Sequence, residues 1–205
     1  VEAARAGAAV VHLHARDDEG NNTMETQRFA EIYEKSTQAC REAGVDVVFN
    51  LTSSGGKFPY EMRLAHLKLL KPEMCSYDPG SMNWGDSYVF LNEPAFLRQL
   101  SQVALEHDIK PEFEIFDNGM IGNALHYIRT YGIPTPCHFQ FVLGVGGGAD
   151  GTVRNLSYLQ EMLPAGSTWS VTGIGKTHLP MLLAALAMGA SGVRVGLEDN
   201  LYFAR

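Results

Sequence analysis

Short apolar segments alternate with amphipathic segments along the chain, and this alternation limits the fold more than any other feature of the sequence. The apolar segments predict strands, because they are brief, rich in β-branched and aromatic residues and often bounded by Gly or Pro. They are residues 8–16, 45–52, 73–80, 110–117, 138–145, 168–175 and 191–199. Helical spacing of apolar residues occurs in residues 26–43, 93–107, 118–131, 153–163 and 178–188. This repetition predicts a mostly parallel sheet covered by helices.

Two arrangements fit such a sheet, an open doubly wound sheet and a (β/α)8 TIM barrel. Most of the predicted strands end in polar residues, among them His14, Asn50, Asp78 and Glu198. Barrel enzymes build their sites from the carboxyl ends of all strands, whereas open sheets concentrate them at one switch point. No GxGxxG motif follows the first strand, which weakens a dinucleotide-binding interpretation. We therefore predict an α/β fold of the (β/α)8-barrel type, with residues 1–205 as a single catalytic domain.

Seven strands are one fewer than a complete barrel requires. Residues 1–6 read as the last turns of a helix that stops at Gly7, and the chain has no initiator Met. We therefore expect an N-terminal segment carrying strand 1 to be missing from this sequence.

Composition narrows the range of partners and compartments. The net charge of −7 argues against nucleic acid and anionic membranes, which attract basic surfaces. No apolar run approaches the roughly 18 residues that span a bilayer. Cys40, Cys75 and Cys137 lie far apart without CxxC spacing, which indicates free thiols in a reducing compartment. We predict a cytoplasmic protein that binds neither nucleic acid nor membrane.

His12 and His14 are the strongest candidates for metal ligands. Residues i and i+2 of a strand project from the same face, and zinc sites often combine two His with one carboxylate. If the seven strands are numbers two to eight of a barrel, the first and last both border strand 1, which brings Glu198 close to the two imidazoles. We predict a divalent ion, zinc or another transition metal, held by His12, His14 and Glu198. The alternatives are a hydrogen-bonded His pair and a Glu198 ion pair with Arg16 or Arg194.

Further charged residues cluster near the same strand ends. On an ideal strand, Asp199 faces away from Glu198. A bent strand end would bring Asp199 to the mouth of the barrel, where its carboxylate would act as a general base. The alternative is that Asp199 caps the N-terminus of the segment that follows. Arg194 is predicted to face inward and to recognise a carboxylate of a substrate or of another side chain. Glu112 and Glu114 share an inward face of their strand. Two roles remain as alternatives for them: an ion pair with Arg or Lys, and contact with the substrate.

Three other features carry weaker predictions. The glycine-rich residues 144–150 follow a strand, so phosphate binding there is an alternative to a flexible loop. Residues 53–60 and 81–89 are predicted to be the longest loops. The remaining histidines of the predicted helices are interpreted as surface or interhelix residues; they are His66, His107 and His126.

Several segments, taken together, point to one family. They are HLHAR (12–16), NLTSSGG (50–56), SYDPGSMNWGD (76–86), KPEFEIFDNGM (110–120), FQFVLGV (139–145), SVTGIGK (170–176) and RVGLEDNLY (194–202). In this order they resemble the β-keto acid cleavage enzymes, also called the 3-keto-5-aminohexanoate cleavage enzyme family, over essentially the whole chain. The combination of HxHAR near the start with RVGLEDN near the end is highly specific.

The resemblance implies a (β/α)8 barrel, assembled as a homotetramer, with zinc on His12, His14 and Glu198. It implies a Claisen-type exchange in which a β-keto acid and acetyl-CoA give acetoacetate and a new acyl-CoA. The metal then polarises the keto group as a Lewis acid. Asp199 helps to generate the nucleophile, and Arg194 supports both the substrate and Asp199.

The resemblance also implies where the substrate is held. Hydroxyl groups of the NLTSSGG and DPGS segments would bind its carboxylate or keto oxygen. The predicted substrate-binding residues are Thr52, Ser53 (with Ser54 as its competitor), Ser81 and Glu114.

Because the family has an additional first strand and continues past EDNLY, we expect strand 1 and a C-terminal helical region to be missing here. A metal-dependent hydrolase or aldolase, and a non-catalytic small-molecule binding barrel, are the alternatives.

Overall fold

The computed structural model describes residues 1–201 of the chain. Tyr202, which ends the RVGLEDNLY segment, lies outside the described residues together with the last three residues of the predicted domain. The helices are α1 (Glu2–Arg5), α2 (Thr26–Ala43), α3 (Tyr60–Leu70), α4 (Pro94–Glu106), α5 (Asn118–Tyr131), α6 (Val153–Glu161) and α7 (His178–Ala187), with a 3-10 turn at Gly175–Thr177. Among the described residues, no helix has both the length and the apolar character that a membrane crossing requires.

The strands are β1 (Val10–Leu13), β2 (Ala15–Arg16), β3 (Asn22–Thr23), β4 (Val48–Leu51), β5 (Met74–Tyr77), β6 (Met82–Trp84), β7 (Tyr88–Phe90), β8 (Lys110–Ile115), β9 (His138–Leu143), β10 (Thr168–Gly173) and β11 (Gly192–Val193). The chain forms two compact units. The first contains Val1–Tyr77 and Gln99–Pro111, and the second contains Asp78–Arg98 and the residues from Glu112 onward. Strand β8 therefore begins in the first unit and continues in the second.

The first unit has the strand order β1-β4-β5-β8. β1 and β4 run parallel, with Val10 opposite Val48 and Leu13 opposite Leu51. Helix α2 ends at Gly44, whose left-handed φ of 65° suits a residue without a side chain. The core beneath this helix includes Cys40 and Phe49.

The second unit has the strand order β8-β9-β10-β11, and all its neighbouring strands are parallel. Helix α5 begins at Asn118, shortly after the end of β8. Its start is fixed by Asp117, whose carboxylate accepts a hydrogen bond from the Met120 N–H at 3.1 Å and caps the helix. Phe113 and Phe139 stack with ring centroids 5.4 Å apart on neighbouring strands and form part of the core.

The predicted alternation of strands and helices is confirmed, with corrections at three places. Each of the seven predicted strands contains one strand of the parallel sheet, usually shorter than predicted. The predicted strand 191–199 was wrong beyond Val193, where the chain enters a turn. Helix α3 is not among the segments with predicted helical spacing, although His66 was placed on a helix, and the predicted loop 81–89 contains the antiparallel β6–β7 hairpin. Cys40, Cys75 and Cys137 are all buried, and none of them forms a disulfide in the part of the chain that the structure describes.

Candidate functional site

His12 and His14 lie side by side in the first unit, at the end of β1. Their Nε2 atoms are 3.0 Å apart, and their ring centroids are 4.9 Å apart. Two ligands of one tetrahedral zinc ion lie about 3.3 Å apart, given zinc–nitrogen bonds of about 2.0–2.1 Å. The pair therefore fits two positions of a single coordination sphere. A hydrogen bond between two neutral rings, the alternative from the sequence, has the same spacing.

Arg194 is the centre of a carboxylate cluster in the second unit. Its guanidinium contacts Glu114 at 2.6 Å and Glu198 at 2.8 Å. Its Nε and Nη2 atoms donate to the two oxygens of Asp199 at 2.9 and 3.1 Å, which makes that contact bidentate. Within this cluster, three carboxylates carry more negative charge than one guanidinium neutralises.

Burial separates the three carboxylates of this cluster. The side chains of Asp199 and Glu114 are 5% and 7% exposed, whereas that of Glu198 is 43% exposed. Burial raises the pKa of Asp199, and the neighbouring Glu198 and Glu114 raise it further, while Arg194 opposes them. Asp199 is thus a stronger base than an ordinary exposed aspartate, and Arg194 holds it in a fixed orientation.

A turn explains why Glu198 and Asp199 reach the same guanidinium. The N–H groups of Asp199 and Asn200 both donate to the Gly196 carbonyl, at 3.2 and 3.0 Å. On an ideal strand Asp199 would face away from Glu198, but the chain turns here, and both carboxylates contact Arg194. Glu198 pairs with Arg194, which was one of the two ion pairs considered from the sequence. The other candidate, Arg16, donates to the Gly20 carbonyl at 2.8 Å.

Asn200 fixes the end of this turn, a role that the sequence analysis missed. Its Oδ1 accepts from the Gly175 N–H at 2.7 Å, and its Nδ2 donates to the Gly173 carbonyl at 2.9 Å. The same Nδ2 lies 2.9 Å from Nδ1 of His178. A polar residue directly after an acidic pair was the only signal in the sequence.

The residues 52–56, here called the TSSGG loop, follow β4 in the first unit. Thr52 and Ser53 are buried, and Ser54 is half-buried. The Ser53 hydroxyl donates to the Ser76 carbonyl at 2.9 Å, and the Ser53 N–H donates to the Ser76 hydroxyl at 2.9 Å. The Ser54 N–H donates to Oγ1 of Thr52 at 3.0 Å. The three predicted hydroxyl residues are therefore brought together, with Ser54 the most exposed.

Ser81 lies in the second unit, at the edge of a cavity of about 420 Å³. Its hydroxyl oxygen accepts from the Asn92 N–H at 2.8 Å. The amides of Asn92 and Asn123 donate to the carbonyls of Gly80 and Pro79, at 3.1 and 2.8 Å. The DPGS turn is therefore held by two asparagine side chains that the sequence analysis did not single out.

Glu112 and Glu114 are both buried, but they have different partners. Glu114 pairs with Arg194, as described above, which supports the predicted alternative of pairing with a basic residue. Glu112 lies beside His138, whose Nε2 is 3.7 Å from the Glu112 carboxylate. His138 also contacts the hydroxyls of Thr168 and Ser170, at 2.8 and 2.9 Å.

The glycine-rich loop 144–150 packs closely against the β6–β7 hairpin. A Cβ atom on Gly147 would collide with the Asn83 carbonyl, and one on Gly148 would lie 2.9 Å from the Phe116 carbonyl. The Gly146 carbonyl accepts from the Gly85 N–H at 2.8 Å. Backbone packing therefore accounts for the glycines without a bound phosphate.

Comparison with known proteins gives one consistent family. The sequence profile of a family described as beta-keto acid cleavage enzyme matches residues 1–205. A 3-keto-5-aminohexanoate cleavage enzyme of Fusobacterium nucleatum is 38% identical over 198 residues, which are 97% of this chain and 70% of that protein. A 3-dehydrocarnitine:acetyl-CoA trimethylamine transferase of Rhizobium meliloti is 35% identical over 98% of this chain and 73% of its own length.

Among solved structures, the chain resembles the ternary complex of ObcA with a C4-CoA adduct and oxalate. The TM-score is 0.83 at 24% identity, and the match covers 97% of this chain. The chain spans 55% of that ObcA chain. The two proteins share a fold. Together with the parallel strand order, this likeness confirms the predicted α/β fold of the (β/α)8-barrel type.

Proposed function

The chain belongs to the beta-keto acid cleavage enzyme family, and on that premise we propose that it is an acyltransferase acting on a β-keto acid and acetyl-CoA. The products are acetoacetate and a new acyl-CoA. The relatives support this assignment, since one is named a 3-keto-5-aminohexanoate cleavage enzyme and another a transferase that uses acetyl-CoA. We further propose that residues 1–205 act as a single catalytic domain.

The exchange makes defined chemical demands on a site. A base removes a proton from the carbon between the keto and carboxylate groups of the substrate. That carbon bonds to the acetyl carbon of acetyl-CoA, and CoA leaves as a thiolate. The thiolate then attacks the original keto carbon, and the carbon–carbon bond beside it breaks. The carbanion that is released takes the proton back from the base and leaves as acetoacetate. The site therefore needs a base, a holder for the substrate carboxylate and a means to stabilise negative charge on oxygen.

The observation that carries the proposal is the Asp199 carboxylate, which is buried and held by Arg194. Burial raises the pKa of Asp199, and a raised pKa makes a carboxylate a better acceptor for a carbon-bound proton. The bidentate contact from Arg194 aims both carboxylate oxygens and limits their rotation. We assign proton removal to Asp199 and its orientation to Arg194.

Arg194 is held in turn by Glu114 at 2.6 Å. A guanidinium between two buried carboxylates keeps its charge, since Glu114, Glu198 and Asp199 raise its pKa against the opposing effect of burial. That fixed positive charge also suits a substrate carboxylate. We therefore keep Glu114 with the predicted substrate-binding residues, as the side chain that fixes Arg194.

We infer a divalent metal ion, with zinc as the expected species, held by His12, His14 and Glu198. The spacing of the two imidazole nitrogens supports this donor set, as does the exposed position of the Glu198 carboxylate. Such an ion, when bound, polarises a keto oxygen and stabilises the charge that develops on it.

Hydroxyl groups are assigned to the substrate oxygens. In the TSSGG loop, the Ser53 hydroxyl already donates to the Ser76 carbonyl, whereas Ser54 is more exposed. This difference favours Ser54 over Ser53, with Thr52 beside it. Ser81 is also assigned, since the Asn92 N–H occupies one lone pair of its hydroxyl and leaves the hydroxyl hydrogen to donate.

The test is an activity screen of the purified protein with acetyl-CoA and a panel of β-keto acids, with acetoacetate as the readout. We expect acetoacetate formation that requires both substrates and a new acyl-CoA in equal amount. Cleavage without acetyl-CoA would instead indicate the hydrolase or aldolase alternative. Ligand binding without turnover or bound metal would indicate the binding-protein alternative.

The finer biological setting is also proposed on the strength of the family. We propose a cytoplasmic homotetramer that binds no nucleic acid or membrane. Light scattering of the purified protein checks the oligomeric state, and a monomer would contradict it.

A further inference from the structure

Two basic side chains of α3 are completely buried, which is unusual for residues of their type. Arg63 and His66 both have no exposed surface, and Arg63 is the largest fully buried side chain of the described residues. Arginine is almost never buried without a polar partner. Residues three apart in a helix share a face, so these two side chains point in a common direction.

Both side chains are directed at the TSSGG loop. Nε of Arg63 donates to the Ser53 carbonyl at 2.9 Å. Nε2 of His66 lies 2.9 Å from the Thr52 carbonyl, and because a carbonyl only accepts, this nitrogen carries the hydrogen. One helix face therefore holds two successive carbonyl oxygens at the carboxyl end of β4.

The surroundings keep both groups in place. The His66 ring stacks on Phe29 of α2, with the centroids 3.9 Å apart and the planes 16° from parallel. The aliphatic part of Arg63 lies beneath Gly55, where an added Cβ would come within 3.3 Å of the Arg63 Cγ. Strand β5 holds the other side of the loop through the two hydrogen bonds between Ser53 and Ser76. The loop backbone is thus fixed from both sides.

We propose that Arg63 and His66 are positioning residues, which hold the TSSGG loop so that Thr52 and Ser54 present their hydroxyls to the β-keto acid. This inference rests on the proposed function, because the hydroxyl roles come from it. Neither residue is assigned contact with the substrate, since both carry their hydrogen bonds to the loop backbone from within the core. Losing either bond should loosen the loop and weaken substrate binding.

The variants are chosen to separate positioning from general stability. Arg63→Met and His66→Leu remove the donors and keep most of the side-chain volume. His66→Gln places an amide donor near the position of Nε2 and is the conservative rescue. Leu67→Ala is the matched control, because Leu67 is equally buried on α3 and its side chain has no hydrogen-bond donor to offer the loop.

The first readout is steady-state kinetics at a temperature where every variant is folded. We expect KM for the β-keto acid to rise about tenfold in Arg63→Met and His66→Leu, as for one lost hydrogen bond, with KM for acetyl-CoA unchanged. His66→Gln should restore KM to within about twofold of the parent protein, and Leu67→Ala should leave it unchanged. An unchanged KM in both donor-deleted variants overturns the role in substrate binding.

The second readout does not depend on activity. Amide hydrogen exchange of residues 52–56, followed by mass spectrometry, should be at least about tenfold faster in the two donor-deleted variants than in Leu67→Ala. Equal exchange in all variants overturns the positioning role itself. Absence of acetoacetate with the parent protein would instead reject the proposed function, and the exchange data would still decide whether α3 holds the loop.

Discussion

At the scale of single residues, Asp199 carries the most specific chemical assignment. Replacing Asp199 with Asn preserves the shape of the side chain and removes its basicity. We expect kcat to fall by roughly 10²–10⁴-fold, as is typical when a general base is lost. Bound metal, measured by elemental analysis, should be unchanged, because Asp199 is not an assigned ligand. Full activity of the Asn variant would contradict the role of Asp199 as the base.

The proposed metal ligands make a separate prediction. His14→Ala should lose metal and activity together while the far-ultraviolet circular dichroism spectrum is retained, because His14 is only half-buried and is not one of the apolar side chains that pack beneath α2. His107→Ala is the matched control, since His107 lies just past the end of α4 and has no assigned ligand role. Elemental analysis after dialysis against zinc would measure both variants. Equal metal content in the parent protein and in His14→Ala would rule out the assigned ligand set.

At the scale of elements, the close contact between the glycine-rich loop and the β6–β7 hairpin can be tested by substitution. Gly147 has a φ of 93°, which strains any other residue, and a Cβ there would collide with the Asn83 carbonyl. We expect Gly147→Ala to lower the free energy of unfolding by about 1–3 kcal/mol, measured by chemical denaturation.

Gly122 provides the control for that substitution. It lies within α5, and an added Cβ would meet nothing within 4 Å. Gly122→Ala should therefore raise the free energy of unfolding by about 0.4–1 kcal/mol, through helix propensity and lower entropy of the unfolded chain. Similar effects of the two substitutions would mean that the hairpin contact does not determine the need for glycine at position 147.

The elements also show what periodicity can and cannot predict. Apolar periodicity found α2 and α5, whose apolar residues face the core at helical spacing. It missed α3, because the buried face of that helix contains the polar residues Arg63 and His66, which interrupt the apolar periodicity. The last strand was extended too far, since the residues after Val193 continue an alternating apolar pattern although the chain turns at Gly196.

At the scale of the whole molecule, the order of motifs along the chain predicted the family, which the local periodicity of apolar residues did not. The segments HLHAR and RVGLEDN, at opposite ends of the chain, identified the family that the sequence profile confirms. The hydrogen bonds of Asn92 and Asn200 with backbone groups of the site turns were not predictable in the same way. They depend on how separate turns meet in space, and a single asparagine in a sequence carries no signal of that.

The stability of the folded chain should depend on pH through His66. Burial lowers the pKa of His66 to about 4, although the Thr52 carbonyl favours the protonated form, whereas an unfolded chain has a His pKa of about 6.5. Between these values the unfolded state binds more protons, so stability is full above pH 6.5 and falls progressively as the pH drops towards 4.

The magnitude follows from the two pKa values. Between pH 7.5 and pH 5 the contribution of His66 to the free energy of unfolding should fall by about 2 kcal/mol. Denaturant unfolding of the parent protein and of His66→Gln at both pH values isolates this contribution, because the remaining titratable groups are common to both. The variant should lose about 2 kcal/mol less than the parent over this interval. An equal loss in both proteins would show that His66 is not held neutral by burial, since only a group whose pKa differs between the folded and unfolded states links proton binding to stability.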